Sequence, residues 1–223
     1  MQMCLKILLN SLYGALANRF VRYYNIDLAE GITLSGQYVI QSVERTINEF
    51  LSSSLKDTTP KDRVIASDTD SVYVNVGDVI KMCNPNNPHD FCVSFAKDAL
   101  EPIIKKTYET VSKKTNAYKN MMAMKLEKVS SVAIFTAKKR YILNVLSSEG
   151  VVYKTPKMVM KGIEAIKSST PKFCRNEFKT FFSLLVNENE DAVQKRVLEF
   201  EKVFMHNQSK RFQSRVVFRM FQS

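Results

Sequence analysis

The chain of 223 residues has no tryptophan, two histidines, four cysteines, six glycines and six prolines. With only His89 and His206, both in polar surroundings, a serine- or cysteine-type catalytic triad has almost nothing to be built from. Cys4, Cys83, Cys92 and Cys174 are scattered without a C-x-x-C pair, which argues against a zinc site and against a secreted disulfide framework. No apolar run approaches the ~18 residues of a membrane span, and no basic leader with a small-residue cleavage site is present. A soluble protein in a reducing cytoplasm is the expectation. Low-complexity tracts and internal repeats are lacking too, and 45% apolar side chains suffice for a buried core, one domain plus a fragment of another.

Acidic residues are scarce in one region. The chain carries 33 Lys or Arg against 22 Asp or Glu, a formal charge of +11, yet 15 of the basic and only 4 of the acidic residues lie between Lys105 and Lys172. The rest of the chain is balanced, so the whole excess sits in that window. Such a segment fits a polyanion partner, since neutralising phosphates releases condensed counterions. A solvated lysine face is the plain alternative.

Leu5, Leu8, Leu9, Leu12 and Leu16 follow helical spacing, with Lys6, Asn10 and Tyr13 on an adjacent face. A turn near Asn18 leads to a second helix, from about Asp27 to Leu51, whose core face is Ile32, Gly36, Val39, Val43, Ile47, Phe50 and Leu51. After the polar stretch SSSLKDTTPKD, the runs RVIAS and SVYVNV predict two strands joined as a hairpin through Asp68-Thr69-Asp70. Asp90 is placed to cap a helix from Phe91 to about Lys114, bent at Pro102, with Phe95, Ala99, Ile103 and Tyr108 inside. Strands are expected at Met122 to Val129, Val132 to Thr136, Arg140 to Val145 and Met158 to Met160, and helices again from Pro171 onward. The fold class expected is α+β, helices packed on a mostly antiparallel sheet.

Asp68 and Asp70 are the leading chemical candidates. Two carboxylates on a tight turn can reach one hard cation, and Mg²⁺ favours few carboxylates plus substrate phosphates; an ordinary surface turn is the alternative. If the flanking apolar strands bury the pair, a metal or a basic partner is needed to offset the desolvation. Lys6 and Asn10, one helical turn apart, can meet a triphosphate as a point charge and an amide donor, or form a solvated face. Tyr13 and Gly14 can line a base pair, or cap a helix end. In Lys138-Lys139-Arg140-Tyr141, read as the opening of a strand, Lys139 and Tyr141 share one face and Lys138 and Arg140 the other. One face would then follow nucleic-acid backbone while the other ion-pairs within the domain. Glu127 is a candidate third carboxylate, or a surface residue beside Lys125 and Lys128.

Taken in order, KILLNSLYG, ITLSGQ, SDTDSVYV, LEKV, KKRY and GIEAIKSSTP resemble the motifs of the family B DNA polymerases, most closely the replicative enzymes of T-even-type tailed phages. The resemblance covers nearly the whole chain. It implies the end of a fingers domain at 1–18, a palm with an antiparallel sheet at 19–166 and the start of a helical thumb at 167–223. It also implies Asp70 as a metal ligand and catalytic residue, with Asp68 supporting it and Glu127 beside the metal site. Lys6, Asn10, Tyr13 and Gly14 are implied to bind the incoming nucleotide. Lys138, Lys139, Arg140, Tyr141 and Lys167 are implied to contact DNA. The implied reaction joins a primer 3′-hydroxyl to a dNTP on two Mg²⁺ ions, with primer–template DNA and dNTP as partners, in a host cytoplasm if the source is a phage.

The family places its first metal-binding aspartate in an upstream D-x-x-S-L-Y-P-S motif, absent from these residues, as are the fingers arginine and lysine and the editing exonuclease. The leading expectation is therefore a polymerase encoded as two polypeptides, completed by an N-terminal polymerase/exonuclease partner, with a sliding clamp as a further partner. A DNA-binding remnant without catalysis and a piece of a longer reading frame are the alternatives.

Overall fold

The leucine spacing of the first segment does form a helix, α1 (Gln2–Leu16), and a second, α2 (Ile26–Ser54), starts where Asn25 accepts the Leu28 amide at 2.9 Å. The computed structural model of the chain describes residues 2–59, 61–188 and 190–220, and the side chains of these except Gln2, Asn10 and 206–220. They divide into two compact units, residues 1–126 and 127–223, the division falling inside the stretch expected as palm. The architecture is α+β. Among the described residues no helix is long and apolar enough to cross a membrane, and all four cysteines are free thiols.

In the first unit α2 buries Ala29, Ile40, Val43, Ile47 and Leu51, a stripe of helical period. Ile32, expected in the core, is exposed. The predicted hairpin is present as β1 (Val64–Asp68) and β2 (Ser71–Val74), paired antiparallel with Asp68 opposite Ser71. A short helix that the sequence did not suggest, α3 (Gly77–Cys83), inserts Val79 into the same core. The next helix begins earlier than expected: Asn87, not Asp90, is its cap, accepting the amides of His89 and Asp90 at 3.1 and 3.4 Å, and Pro88 takes the first turn, where its missing N–H is harmless.

That helix runs as α4 (Pro88–Phe95), a π-helical segment (Ala96–Leu100) and α5 (Glu101–Lys114). The wide turn lies immediately ahead of Pro102, so a π-bulge rather than a simple bend accommodates the proline's bulk and its absent donor. Its buried residues include Ala96, Leu100, Ile104 and Tyr108, the first three one position later than expected and Tyr108 in the expected phase. The core then combines Val43, Ile47 and Leu51 with Val64, Val79, Leu100, Ile104 and Tyr108.

The second unit opens with a three-stranded antiparallel meander, β3 (Lys128–Ala137), β4 (Arg140–Ser148) and β5 (Val151–Lys161). Met122 to Glu127, expected as strand, has no regular structure, and the separate strand expected at Val132 is the middle of β3, whose register shifts near Ser130. Central β4 buries Tyr141, Ile142, Leu143 and Val145. A 3₁₀ turn (Glu164–Ile166) leads to α6 (Lys172–Asn187) and α7 (Glu190–Met220). Phe178 and Phe182 of α6 pack on Ile142, Ile163 and Ala165, and the Arg196–Glu177 ion pair at 2.5 Å ties α7 to α6.

The apolar face of α1 has no cover. Leu5, Leu8, Leu9 and Leu12 are all more than half exposed. A stripe of that size drives association. The chain alone is expected to elute larger than a monomer, and a Leu5→Glu/Leu9→Glu double variant to run as a monomer with its melting temperature within about 2 °C of the parent. Light scattering on a size-exclusion column decides it: a monodisperse monomeric parent would refute the expectation.

Candidate functional site

The β1–β2 hairpin is anchored at its base and turns at Thr69-Asp70. Asn48 of α2 accepts the amides of Arg63 and Val64 at 2.9 and 3.1 Å and donates to Asp62 at 2.6 Å. The buried Arg63 guanidinium pairs with Asp57 at 2.6 Å and Asp78 at 3.2 Å, and its carbonyl accepts the Asn75 amide at 2.8 Å. From this anchor the strands run to a two-residue turn, Thr69-Asp70.

The turn is strained. Thr69, a β-branched residue, has φ +51°, a left-handed conformation that costs roughly 1–3 kcal/mol and clusters at working sites. Around it the Asp70 amide donates to the Asp68 carbonyl at 2.5 Å, the Ser71 hydroxyl to the same carbonyl at 3.2 Å, and the Thr69 hydroxyl to an Asp68 carboxylate oxygen at 3.3 Å. Asp68 is half-buried and Asp70 exposed, so the pair is not the doubly buried one that would by itself demand a counter-charge. Two carboxylates flank Thr69 at one hairpin turn, and among the described residues no three His, Cys, Asp or Glu side chains gather. That donor set suits a cation that keeps much of its water and takes phosphate oxygens, as Mg²⁺ does.

Tyr108 of α5 is a core residue within reach of the Asp70 charge, where the sequence marks it only as a core position. Burial pushes its phenol above the ordinary tyrosine range, and the nearby Asp70 charge pushes it further. The phenol therefore stays neutral. A tyrosine in an otherwise aliphatic stripe was the only signal.

On α1, Lys6 and Tyr13 are exposed at i and i+7, and the Tyr13 hydroxyl shares a 2.8 Å hydrogen bond with Thr33 of α2. The Asn10 side chain lies outside the described residues. Gly14 is inside the helix rather than at its cap, and a Cβ there would meet nothing within 4 Å.

In the second unit the basic cluster is a turn, not the start of a strand. Lys138 and Lys139 form the two-residue β3–β4 loop, Lys139 at φ +61°, and β4 begins at Arg140. Strand alternation therefore does not carry across Lys139. Lys138 and Lys139 are exposed, whereas Tyr141 is only 5% exposed, its ring 5.5 Å from Phe135 and under the Lys161 ammonium at 5.7 Å. Arg140 and Lys167 both reach Glu164, at 3.4 and 2.9 Å. Glu127 is exposed just ahead of β3 and ion-pairs with Lys128.

With this geometry in view, the chain belongs to DNA polymerase family B, whose model matches residues 1–222. It is 36% identical over 213 residues to the DNA-directed DNA polymerase of Enterobacteria phage T4, covering 89% of this chain and 24% of that protein. With the DNA-directed DNA polymerase of Escherichia phage RB69 it shares 36% identity over 199 residues, 83% of this chain and 22% of the other. The DNA polymerase catalytic subunit of Saimiriine herpesvirus 2 is 24% identical over 203 residues, 85% of this chain and 17% of its own length. The chain spans about a quarter of the length of the two phage relatives.

Proposed function

We propose that the chain is the C-terminal portion of a DNA-directed DNA polymerase that adds dNTPs to a primer 3′-hydroxyl. The observation that carries the reading is the strained turn that places Asp68 and Asp70 either side of Thr69 at the end of an anchored hairpin, in a chain of this family. Two Mg²⁺ ions, when bound, would activate the primer hydroxyl and stabilise the leaving pyrophosphate. Asp70, exposed, is the direct ligand and Asp68 the supporting carboxylate. Tyr108, within reach of the Asp70 charge, stays neutral and adds no charge of its own near the pair. Lys6 and Asn10 hold the triphosphate, and Tyr13 and Gly14 leave a face with open space for the nascent base pair. Lys138, Lys139, Arg140 and Lys167 face the DNA backbone, with Tyr141 supporting their turn from within. Glu127, paired with Lys128 here, is the further carboxylate of this reading.

Residues 1–18 correspond in this reading to the end of the fingers, 19–166 to the palm and 167–223 to the start of the thumb. Two-metal transfer needs a carboxylate from a second segment, and an N-terminal polymerase/exonuclease polypeptide would supply it, the assembled enzyme working in the host cytoplasm with a sliding clamp. Primer extension tests this. The chain should be inactive alone and should extend a labelled primer with Mg²⁺ and dNTPs when mixed with a polypeptide carrying the upstream aspartate motif. Failure of the mixture, with DNA binding retained, would favour a non-catalytic DNA-binding remnant instead.

A further inference from the structure

The β3–β4 turn that carries Lys138 and Lys139 is pressed against the chain just after β5. Gly162 has φ +65°, and a Cβ built on it would overlap the Lys139 carbonyl oxygen, with the Lys139 carbonyl carbon at 3.2 Å and Arg140 Cγ at 3.3 Å. Only a residue without a side chain allows that approach. The next residues are fixed: Ile163 and Ala165 are buried with Ile142 in the core of this unit, so the backbone touching Lys139 cannot easily yield. Between them Glu164 points outward, and a single carboxylate oxygen, Oε1, takes both Arg140 Nη1 at 3.4 Å and Lys167 Nζ at 2.9 Å.

We propose that Gly162 and Glu164 are positioning residues that hold the basic turn and the cations Arg140 and Lys167 in the arrangement that grips a nucleic-acid backbone. The proposal rests on the polymerase reading above for its ligand. Lys139 needs such support, because an unrestrained lysine does not keep a left-handed backbone. Glu164 needs explaining as well. It is one of only four acidic residues in the basic window from Lys105 to Lys172, and a carboxylate there lowers the attraction for a polyanion. Its position between two long, flexible cations gives a return for that loss: their side chains are ordered before the ligand arrives, which reduces the entropy lost on binding. The cations hold the Glu164 carboxyl below the usual range, Lys167 contributing most and Arg140 less, so the clamp is intact at neutral pH.

The test uses the full chain and a fluorescein-labelled primer–template duplex, with anisotropy read over a salt series. The slope of log affinity against log salt counts phosphate contacts, about 0.9 per contact, while a partly unfolded sample only reduces the fraction that binds. Lys139→Ala should flatten the slope by about one contact. Gly162→Ala and Gly162→Asn should both weaken binding by roughly tenfold and flatten the slope by about 0.9 or more. Asparagine tolerates positive φ, so wild-type affinity in Gly162→Asn would show that the glycine serves backbone conformation alone and would overturn the proposal. Glu164→Gln, which keeps the shape and adds a net positive charge, should weaken binding about threefold with a flatter slope. Tighter binding with a steeper slope would instead make Glu164 a simple counter-charge. This variant decides the matter if the Gly162 variants fail to fold. Absence of salt-dependent binding by the parent chain, or no effect of Lys139→Ala, would mark failure of the DNA-interface reading itself.

Discussion

Asp70→Asn is expected to lower primer extension by the assembled polymerase by roughly three orders of magnitude, about 4 kcal/mol of barrier, and to change primer–template affinity by less than about twofold. Asp70 stands exposed at the hairpin tip, and its backbone amide, not its side chain, closes the turn on the Asp68 carbonyl. An amide of the same shape therefore leaves the fold as it is and removes only the negative charge that a divalent cation requires. Asp68→Asn should cost less, because the half-buried Asp68 is tied into the turn through Thr69 and is the supporting carboxylate of the proposed reading. Extension within tenfold of the parent for Asp70→Asn would remove Asp70 from the metal site. Raised Mg²⁺ restoring part of the lost rate in Asp68→Asn, but not in Asp70→Asn, would separate the two roles.

The parts of this molecule that were legible in the sequence are those governed by one local rule. The leucine stripe of α1, the Val43, Ile47 and Leu51 stripe of α2 and the two alternating runs around Asp68-Thr69-Asp70 each repeat a single period long enough to be recognised. Errors arise where two local signals compete. Pro102 predicts a simple bend, whereas the chain inserts a π turn ahead of it, and the buried positions from Ala96 to Ile104 stand one residue beyond those expected. Asp90 is a good cap by residue type, yet Asn87 followed by Pro88 is a better start because it gains both the Asx cap and the proline. Lys138 and Lys139 look like the beginning of a strand because β4 follows without a break. Their turn contains neither glycine nor asparagine, the usual markers of positive φ, since its support comes from Gly162, more than twenty residues away.

The candidate site was legible in its chemistry and not in its supports. Asp68, Asp70, Lys6 and Lys139 are each exposed or near a turn tip, where a residue type announces itself by being out of keeping with its neighbours. Gly162 acts through Lys139 and Tyr108 responds to Asp70, 23 and 38 positions away, while Arg63 pairs with Asp57 in a loop and Asp78 in a helix; no periodic spacing marks any of these contacts. Arg63 in particular reads as an ordinary charge before a strand. In the folded chain it is the anchor that fixes the far end of the hairpin bearing the carboxylates.

Arg63→Met is accordingly expected to be among the most destabilising single changes in the first unit, lowering its melting temperature by about 5 °C or more at pH 7. The guanidinium is 5% exposed, and its removal strands Asp57, whose side chain is 16% exposed, without its partner. Acid should expose the same link. The Arg63 hydrogen bond holds the Asp57 carboxyl below its ordinary range, with burial opposing and the Arg63 and Lys61 charges assisting. Because the folded-state pKa is depressed, the stabilisation is complete above about pH 4 and is lost as the pH falls through the folded value. The melting temperature of the parent should thus decline below about pH 4. In Asp57→Asn that part of the decline should be absent, the variant starting lower at pH 7 and converging on the parent in acid. Melting curves of equal slope between neutral and acidic pH for the two proteins would show that the Asp57–Arg63 pair contributes nothing to the anchor, leaving Asn48 and the Arg63–Asp78 pair to hold the base of the hairpin.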